Sequence, residues 1–392
     1  MAKGKLVLRR AAKSAMANLL HYTGVRRAIA GVRRLRAGGS RVLILSYHRV
    51  VDDYTGALQT TIPGLVVSKE TLRRQLLDLR ASGYTFLSID DALDVLSGRR
   101  RTDGDVCVVT FDDGYRDVYQ HGFPVLKELG VPAVVYVPSG FMGTQKRFNH
   151  DRLFHLFGLV QQRGFRPVYD LLPPSAASVV EPLLAGQLTP AAAVDAFLAD
   201  QPAGLAVRLI EGLAQQLGGG PSTIPEGGEV MTWAEAREMA EAGITIGAHT
   251  VSHTVLPLES PDRAEWEIRE SKRVIEENVG RPCEHFAYCN GWYSDELVRM
   301  LVRAGFKSAV TTEDLLNRVG GDPYTLKRKV LWENFSLGFD GTYSSCLTGC
   351  QMDDVFTTLG GGTVVVGRKP QRGPLTVPVP FTEPEHGLHG DH

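Results

Sequence analysis

Residues 106–114 have the sequence Val-Cys-Val-Val-Thr-Phe-Asp-Asp-Gly. The first six are apolar apart from one threonine, a pattern typical of a strand that is buried on both faces of a parallel sheet. Two acidic residues and a glycine follow directly, so the strand carries a pair of carboxylates at its C-terminal end. In parallel barrels this is the end at which active sites form. The stretch therefore predicts an α/β fold with Asp112 and Asp113 at its functional face.

The same strand pattern recurs along the chain. It is found at Val42–Tyr47, Ala133–Val137, Ile244–Gly247, His285–Tyr288, Ser308–Thr311 and Leu326–Leu331. Amphipathic helix patterns such as Ser68–Ser82 and Pro261–Val279 lie between most of these segments. Alternating strands and helices imply parallel pairing through right-handed crossovers. Seven such units are enough to close a barrel.

Composition places the chain among ordinary globular proteins. It has 392 residues, of which 43% are hydrophobic and 22% are charged. No apolar run reaches the roughly 18–20 residues of a membrane-spanning helix, and none near the N-terminus has the apolar length of a secretory signal. The five cysteines are odd in number and widely spaced, unlike a disulfide framework. We therefore expect a cytoplasmic protein.

Charge divides the chain into a basic leader and an acidic body. Residues 1–41 hold eleven of the 43 Lys and Arg and no acidic residue, so the remainder has 32 bases against 44 acids. We predict that residues 1–40 form an extension, either a membrane-surface helix on anionic lipid at the inner face of the plasma membrane or a solvated basic segment. The acidic body argues against nucleic acid as a partner.

Three boundaries follow from the pattern. Residues 41–340 form the predicted barrel. The long connection at 141–229 interrupts the alternation of strands and helices between the third and fourth strands. Its Ala- and Leu-rich patterns predict a helical insertion, which either forms a lid over the substrate or lies at the periphery. Residues 341–392 are rich in Gly and Pro and are expected to form a mobile tail.

Candidate ligands follow the second and fourth predicted strands. Asp-Asp-Gly occurs often in surface turns, but the buried strand before it favours a site for Asp112 and Asp113. His249 and His253 are four residues apart, so both imidazoles lie on one face if the segment turns helically. Asp113 with these histidines provides three protein ligands and leaves a coordination position open, as in catalytic metal sites. Thr250 is a candidate to orient the imidazoles.

Two weaker candidates end other strands. The Gly-bearing turn after His285–Tyr288 can direct a backbone N–H into the site as an oxyanion donor. His48 follows the first strand, where a lone histidine is either structural or functional. All the candidates therefore fall at C-terminal strand ends, which favours one shared site.

Three of these motifs together resemble a known family. Thr110–Gly114 (TFDDG), His249–His253 (HTVSH) and Phe286–Gly291 (FAYCNG) are similar to the first three motifs of the polysaccharide deacetylases, also called the NodB-homology family or carbohydrate esterase family 4. Ser46–Val50 (SYHRV) resembles the branch that acts on exopolysaccharides. The resemblance covers residues 40–332 without much of the insertion.

The resemblance implies a fold, an activity and roles for residues. The fold would be a distorted (β/α)7 barrel, and the activity the removal of N-acetyl groups, or less often O-acetyl groups, from sugars. Its motif positions assign the general base to Asp112, the metal ligands to Asp113, His249 and His253, the oxyanion donor to Asn290 and the general acid to His48. Thr250, Tyr115 and Tyr288 are expected to surround these groups or to contact substrate. One divalent metal is implied, foremost Zn²⁺, with Co²⁺, Mn²⁺ or Ni²⁺ as alternatives.

Two positions depart from the family pattern, and other functions stay open. Cys289 stands where the family usually has proline, which would loosen the loop or place a thiol beside the metal. Ala287 stands where many members have an arginine that orients the base. The substrate is an N-acetylhexosamine polysaccharide or glycoconjugate, or alternatively a small-molecule or lipid-linked sugar. The remaining alternative is an inactive carbohydrate-binding barrel.

Overall fold

The computed structural model describes residues 2–36 and 40–358, apart from 200, 202, 221, 222, 224 and 226. The strands of this part of the chain are β1 (Val42–Tyr47), β2 (Arg49–Val51), β3 (Val66–Ser68), β4 (Thr85–Phe86), β5 (Val106–Phe111), β6 (Ala133–Val137), β7 (Thr245–Ala248), β8 (His285–Ala287), β9 (Ser308–Val310) and β10 (Lys329–Val330).

The α-helices are numbered in the same way. They are α1 (Ala2–Tyr22), α2 (Val25–Arg36), α3 (Tyr54–Ala57), α4 (Lys69–Ala81), α5 (Ile89–Leu96), α6 (Phe123–Leu129), α7 (Asn149–Arg163), α8 (Ala177–Leu184), α9 (Pro190–Leu198), α10 (Ala203–Gln216), α11 (Trp233–Glu241), α12 (Pro261–Val279), α13 (Asp295–Arg303), α14 (Ser345–Met352) and α15 (Val355–Thr358). A π-helical turn at Val118–Gly122 precedes α6.

The large sheet is parallel and has the strand order β10-β1-β5-β6-β7-β8-β9, with β4 also paired to β5. Leu326 bridges to Val310 at the end of β9, while β10 pairs with β1, so segment 326–330 joins the last strand to the first. The sheet therefore curls into the predicted (β/α)7 barrel.

The strand predictions agree best where the apolar run is longest. Strands β1, β5 and β6 have the predicted bounds, and all their residues are buried. The predicted strand Leu326–Leu331 is shorter, because only Lys329 and Val330 pair continuously. Strands β2 and β3, which form a separate two-stranded sheet, were missed because three residues are too few to show a period.

The insertion at 141–229 has a core of its own, as its helical pattern predicts. It consists mainly of helices α7, α8, α9 and α10. Its buried residues include Leu153, Leu156, Phe157, Val160, Val180, Leu183, Val194, Phe197, Leu209, Ile210 and Leu213. Helix α9 begins with Thr189 as N-cap and Pro190 at the first helical position, which explains its sharp start. The insertion is therefore a helical subdomain attached to the barrel.

The N-terminal helices pack against α14 and α15, which changes the predicted boundaries. Helices α1 and α2 form the N-terminal segment, and Ala17 is buried against Leu347 and Cys350 of α14. The mobile tail predicted from residue 341 is wrong at its start, because α14 buries most of its residues. The rest of that tail, 359–392, lies outside the described residues. No helix in the described ranges combines the length and apolarity that crossing a bilayer requires.

Candidate active site

The predicted site residues converge on one cavity at the C-terminal end of the barrel. His48 follows β1, Asp112 and Asp113 follow β5, His249 follows β7, and Asn290 follows β8. All five line a cavity of about 410 Å³, together with His253. The parallel register of β1, β5, β6 and β7 brings these strand ends to one edge, as expected for parallel barrels.

Asp113, His249 and His253 form one face of the cavity. The Asp113 Oδ1 atom lies 3.4 Å from His249 Nε2 and 3.0 Å from His253 Nε2. This oxygen is buried and, within the described residues, makes no hydrogen bond that satisfies normal geometry. The His249 Nδ1–H donates to the Ala287 carbonyl at 2.7 Å, so Nε2 is the ring nitrogen that faces Asp113. One carboxylate oxygen and two imidazole nitrogens thus face one another, a donor set that fits a bound cation once both imidazoles have lost their protons.

The backbone is held in a rare conformation at four site residues. Asp113, Thr250, His253 and Asn290 have φ between +53° and +71°, and Asp354 is the fifth non-glycine residue with positive φ in the described chain. Non-glycine residues adopt this region at an energetic cost, and such residues cluster at functional sites. Four of the five such residues therefore lie at the site, so backbone strain in the described chain is concentrated there.

The two histidines reach the site by a different route from the predicted helical turn. The segment from His249 to His253 is a bent loop, with positive φ at Thr250 and His253. The buried Glu267 carboxylate holds this loop by accepting hydrogen bonds from the backbone N–H groups of Val251 (2.7 Å) and Ser252 (2.9 Å). The two imidazoles are therefore brought together by a loop that Glu267 holds in place, and not by a shared helix face.

Asp112 has an ion-pair partner that the sequence interpretation missed. The fully buried Arg328 donates from Nη1 to Asp112 Oδ1 at 2.7 Å and from Nη2 to Oδ2 at 2.6 Å. Arg328 also donates to the Thr110 hydroxyl and the Thr311 carbonyl. Burial raises the pKa of Asp112, but the guanidinium outweighs it and holds the pKa below its ordinary value.

Arg328 could have been found from its position in the sequence. It lies within the segment predicted as the last buried strand, and a charge in such a place requires a partner. It pairs with the predicted base, a role that the family resemblance assigns to an arginine at the position of Ala287, but it comes from a different segment. Only the closure of the barrel brings segment 326–330 beside β1 and β5.

Two further histidines face the cavity. Burial lowers the pKa of His48, and Asp113 and Asp112 only partly oppose this shift. The His48 Nδ1 atom is buried and lacks a hydrogen-bond partner among the residues described. His150 was not predicted; its Nε2 lies 2.7 Å from the Tyr115 hydroxyl, and its ring lies 5.5 Å from that of His253. Nothing in the local sequence marks His150, which comes from the start of α7 in the insertion.

Cys289 places a thiol beside the metal-ligand candidates. Its Sγ lies 3.9 Å from His249 Nδ1 and 3.8 Å from the Thr250 hydroxyl. His249, His253 and Cys289 also form a group whose donor atoms lie within 4.8 Å of one another. We favour Asp113 over Cys289 as the third ligand, because the sulfur lies on the Nδ1 side of His249, where the N–H is given to Ala287.

The remaining predicted residues occupy the surroundings. The Thr250 hydroxyl accepts from the Thr254 backbone N–H (3.3 Å), so the expected contact with an imidazole is replaced by the Ala287 carbonyl. Tyr115 is fully buried behind the cavity and donates to Asp151 at 2.7 Å. Tyr288 lines the cavity. Asn290 is exposed there, and its carbonyl accepts from Thr312 at 3.0 Å.

The family model of polysaccharide deacetylases matches residues 99–173 and 192–309. The chain therefore belongs to the polysaccharide deacetylase family. The Bacillus subtilis protein YxkH, whose name places it among polysaccharide deacetylases, is 19% identical over 274 residues. The match covers 70% of this chain and 65% of YxkH, which is less than two thirds of that relative.

Solved structures agree with the fold. IcaB from Ammonifex degensii is 20% identical, has a TM-score of 0.50, and covers 80% of this chain and 98% of its own. The deacetylase PplD from Streptococcus pyogenes, solved in complex with acetate, is 19% identical with a TM-score of 0.50 and covers 77% of this chain and 96% of its own. At these identities the similarity establishes the (β/α)7 fold.

Proposed function

We propose that this protein is a metal-dependent hydrolase that removes N-acetyl groups from N-acetylhexosamine units of a polysaccharide or glycoconjugate. The observation that carries the proposal is the buried Asp113 carboxylate oxygen, which faces two imidazole nitrogens beside an ion-paired second carboxylate. Family membership supports the reaction class. An inactive barrel would be expected to lack one of these groups, and all are present.

Asp113, His249 and His253 would hold the metal. Two imidazoles and one carboxylate suit Zn²⁺ first, and Co²⁺, Mn²⁺ or Ni²⁺ would be accepted by the same donors. When bound, the ion supplies Lewis acidity, which polarises the acetyl carbonyl and acidifies water. The Ala287 carbonyl keeps His249 in the tautomer that this binding requires.

Asp112 is proposed as the general base. Its lowered pKa keeps it ionised at neutral pH, which is the form that accepts a proton from water. Arg328 engages one lone pair on each carboxylate oxygen and the Ser46 hydroxyl donates to Oδ2 at 3.5 Å, so a second lone pair on Oδ1 stays available. The guanidinium thereby sets the orientation of the carboxylate during proton transfer.

His48 is proposed as the general acid that protonates the leaving nitrogen. Amines leave poorly without a proton, so the reaction requires such a donor. The lowered pKa of His48 makes its protonated form a stronger acid, although less of that form is present at neutral pH. The backbone N–H of Asn290 is proposed to stabilise the oxyanion, a contribution of about 3–4 kcal/mol per donor in known cases.

Acetate release tests this function directly. Purified full-length protein is incubated with N-acetylhexosamine oligomers, O-acetylated glycans and acetylated small molecules, before and after chelation. We expect acetate from the N-acetylhexosamine oligomers, loss of the activity on chelation, and recovery with Zn²⁺. Release from O-acetylated glycans alone, or activity that survives metal removal, would contradict the proposal.

The walls of the cavity support a second candidate substrate, an N-acetyl sugar that carries a hydrocarbon group. Apolar side chains from three separate segments line the cavity beside the polar residues: Ile62, Leu65, Val194, Leu198, Val255 and Leu258. A sugar polymer presents mainly polar groups to such a wall. Burying an alkyl group against it makes the free energy of binding more favourable, because apolar surface leaves water.

Alkyl N-acetylhexosaminides of increasing chain length separate the two candidates. If the apolar wall binds the alkyl group, kcat/KM rises with chain length by at most about fourfold per buried methylene. Leu65→Asn should remove that rise, since Leu65 lines the cavity. Leu171→Asn is the matched control, because Leu171 is an exposed leucine of the insertion that does not line it. A flat dependence on chain length would leave the polymer as the substrate.

A further inference from the structure

The N-terminal helices expose an apolar surface that the barrel does not use. Five of the eleven large hydrophobic side chains that are exposed in the described chain lie between residues 16 and 32. They are Met16, Leu19, Tyr22, Val25 and Val32, exposed by 44%, 64%, 81%, 40% and 48%. We call this set the apolar stripe. Scattered exposed hydrophobic residues are normal, but such a concentration indicates an interaction site.

The apolar stripe follows helical periodicity and lies away from the packed face. Met16, Leu19 and Tyr22 recur every three residues on α1, and Val25 and Val32 are seven apart on α2. Since residues three, four and seven apart share a helix face, each helix presents an apolar face to solvent. The turn at Thr23 and Gly24 joins the two helices between Tyr22 and Val25.

The opposite face fixes the two helices to the rest of the protein. Ala17 is fully buried against α14, and Arg26 is buried in α2. Arg26 Nη1 forms an ion pair with Asp353 at 2.7 Å, and Asp353 also accepts from the Tyr84 hydroxyl at 3.0 Å, close to the barrel. The helix pair is therefore anchored, and its apolar stripe is held outward in a defined position.

The charge around the apolar stripe identifies the partner. Residues 1–36 contain ten Lys and Arg and no acidic residue; Arg26 and Lys13 contact Asp353 and Gln351, and the other eight leave the segment strongly basic, so a surface that is both apolar and anionic suits it. The same segment of a second copy would be repelled by this charge. An anionic phospholipid layer satisfies both requirements, because basic residues near its surface are attracted to the lipid phosphates.

We propose that α1 and α2 dock the protein on an anionic phospholipid membrane, with the apolar stripe inserted between headgroups and the positive charge of the N-terminal segment attracting the anionic lipid. This inference is independent of the deacetylase proposal, since it uses none of the residues of the cavity. The enzyme would lie on the membrane surface, with its barrel held there by the contact between α1 and α14.

Vesicle co-sedimentation of the full-length protein tests the proposal. The probes are phosphatidylcholine vesicles and mixed phosphatidylcholine–phosphatidylglycerol vesicles. We expect at least about tenfold stronger partitioning onto the mixed vesicles, and a decrease of that binding at high salt. Equal binding to both vesicle types, or no binding to either, would overturn the proposal.

Paired variants make the test specific to the apolar stripe. Leu19→Glu with Val25→Glu should reduce partitioning about tenfold or more, because it places acids in the inserted face. The matched control is Val302→Glu with Phe339→Glu, which changes two residues of similar exposure elsewhere (50% and 63%) and should bind as the wild type does. Tyr22→Ser is a milder variant, expected to weaken binding without adding charge.

Solution mass measurements and unfolding curves accompany the vesicle assay. Both double variants should show the thermal unfolding and soluble-substrate activity of the wild type, since all four residues are exposed. If Leu19→Glu with Val25→Glu instead converts a stable dimer to a monomer, and the wild type ignores vesicles, the occupant of the stripe is a second copy and the proposal is wrong.

Discussion

Asp112 and Asp113 are adjacent residues of the same type, yet their surroundings are opposite. Asp112 accepts two hydrogen bonds from the buried Arg328, at 2.6 and 2.7 Å. Asp113 points an oxygen at His249 and His253 without a hydrogen bond of normal geometry among the described residues. Asp112 is paired with a guanidinium that is always charged, whereas Asp113 faces two imidazoles that balance its charge only when they are protonated, so a bound cation can replace those protons.

The difference shows how one strand end yields two chemical roles. Successive residues leaving a strand point in different directions, and the positive φ of Asp113 and Gly114 turns the chain between them. At Gly114 a Cβ would lie 2.9 Å from Val137 Cγ1, so the turn also needs glycine for space. In the proposed mechanism, environment therefore assigns the role of base to Asp112 and that of metal ligand to Asp113.

The largest expected effect comes from removing the metal-facing carboxylate. Asp113→Ala should lose both bound divalent metal and acetate release down to background, because the two imidazoles alone bind weakly. Elemental analysis of the purified variant and the acetate assay measure the two effects. Retention of metal at the wild-type level would show that Cys289 or another group is the third ligand.

Asp112→Asn should separate the two carboxylates. It keeps the shape of the side chain but cannot accept a proton, so activity should fall about 10²–10⁴-fold while metal content stays at the wild-type level. Single-turnover acetate release and elemental analysis are compared on the same preparation. Undiminished turnover would exclude Asp112 as the base, and the proposed difference in role between Asp112 and Asp113 would be wrong.

His48→Gln should reduce acetate release about 10²-fold if His48 donates the proton to the leaving nitrogen. The control is His150→Gln, which removes a histidine of the same cavity that is hydrogen-bonded to Tyr115. The loss should be smaller for substrates with good leaving groups, which need less protonation. A larger loss in the His150 variant would move the acid role to the insertion.

Arg328 should act by positioning Asp112. Arg328→Met should lower kcat about 10–100-fold with little change in KM and in metal content. It should also destabilise the fold by about 3–5 kcal/mol, because it leaves a buried carboxylate unpaired. Urea unfolding measures this loss, and the double variant with Asp112→Asn should recover part of it. Recovery of kcat by Arg328→Lys to the wild-type value would argue against the two-point orientation.

The Asp112–Arg328 pair also predicts a pH dependence of stability. The folded pKa of Asp112 lies below its ordinary value of about 3.9, so the stabilisation is fully present above that pH and is lost as the pH falls through the folded pKa. The double variant lacks this group, and its free energy of unfolding should decline less steeply in acid. Equal slopes for the two proteins would show that the pair does not contribute.

The smallest effect is expected at Cys289. Cys289→Ala should change metal content and activity by less than about twofold, because the thiol faces the hydrogen-bonded side of His249. Elemental analysis together with acetate release decides the point. Loss of the metal in this variant would make the thiol a ligand and would exchange the roles assigned to Cys289 and Asp113.

Much of the site could be predicted because it lies at strand ends. The apolar run at Val106–Phe111 and the residues directly after it determine both the strand and the exit of Asp112 and Asp113. The spacing of His249 and His253 predicted a pair of ligands, although the geometry that joins them is a strained loop. Local pattern is enough where the functional group directly follows the element that places it.

Tertiary structure alone decided the partners that come from distant segments. Arg328 reaches Asp112 across 216 positions, His150 enters from the insertion, and Ala287 fixes the tautomer of His249 through its carbonyl. The N-terminal helices also gained a defined outer face only when α14 covered the other. The sequence by itself determined which groups stand at the ends of the strands, because that depends on local periodicity. The partners of those groups depend on how the barrel closes, on where the insertion lies and on how α14 packs against the N-terminal helices. No local sequence pattern encodes these long-range contacts.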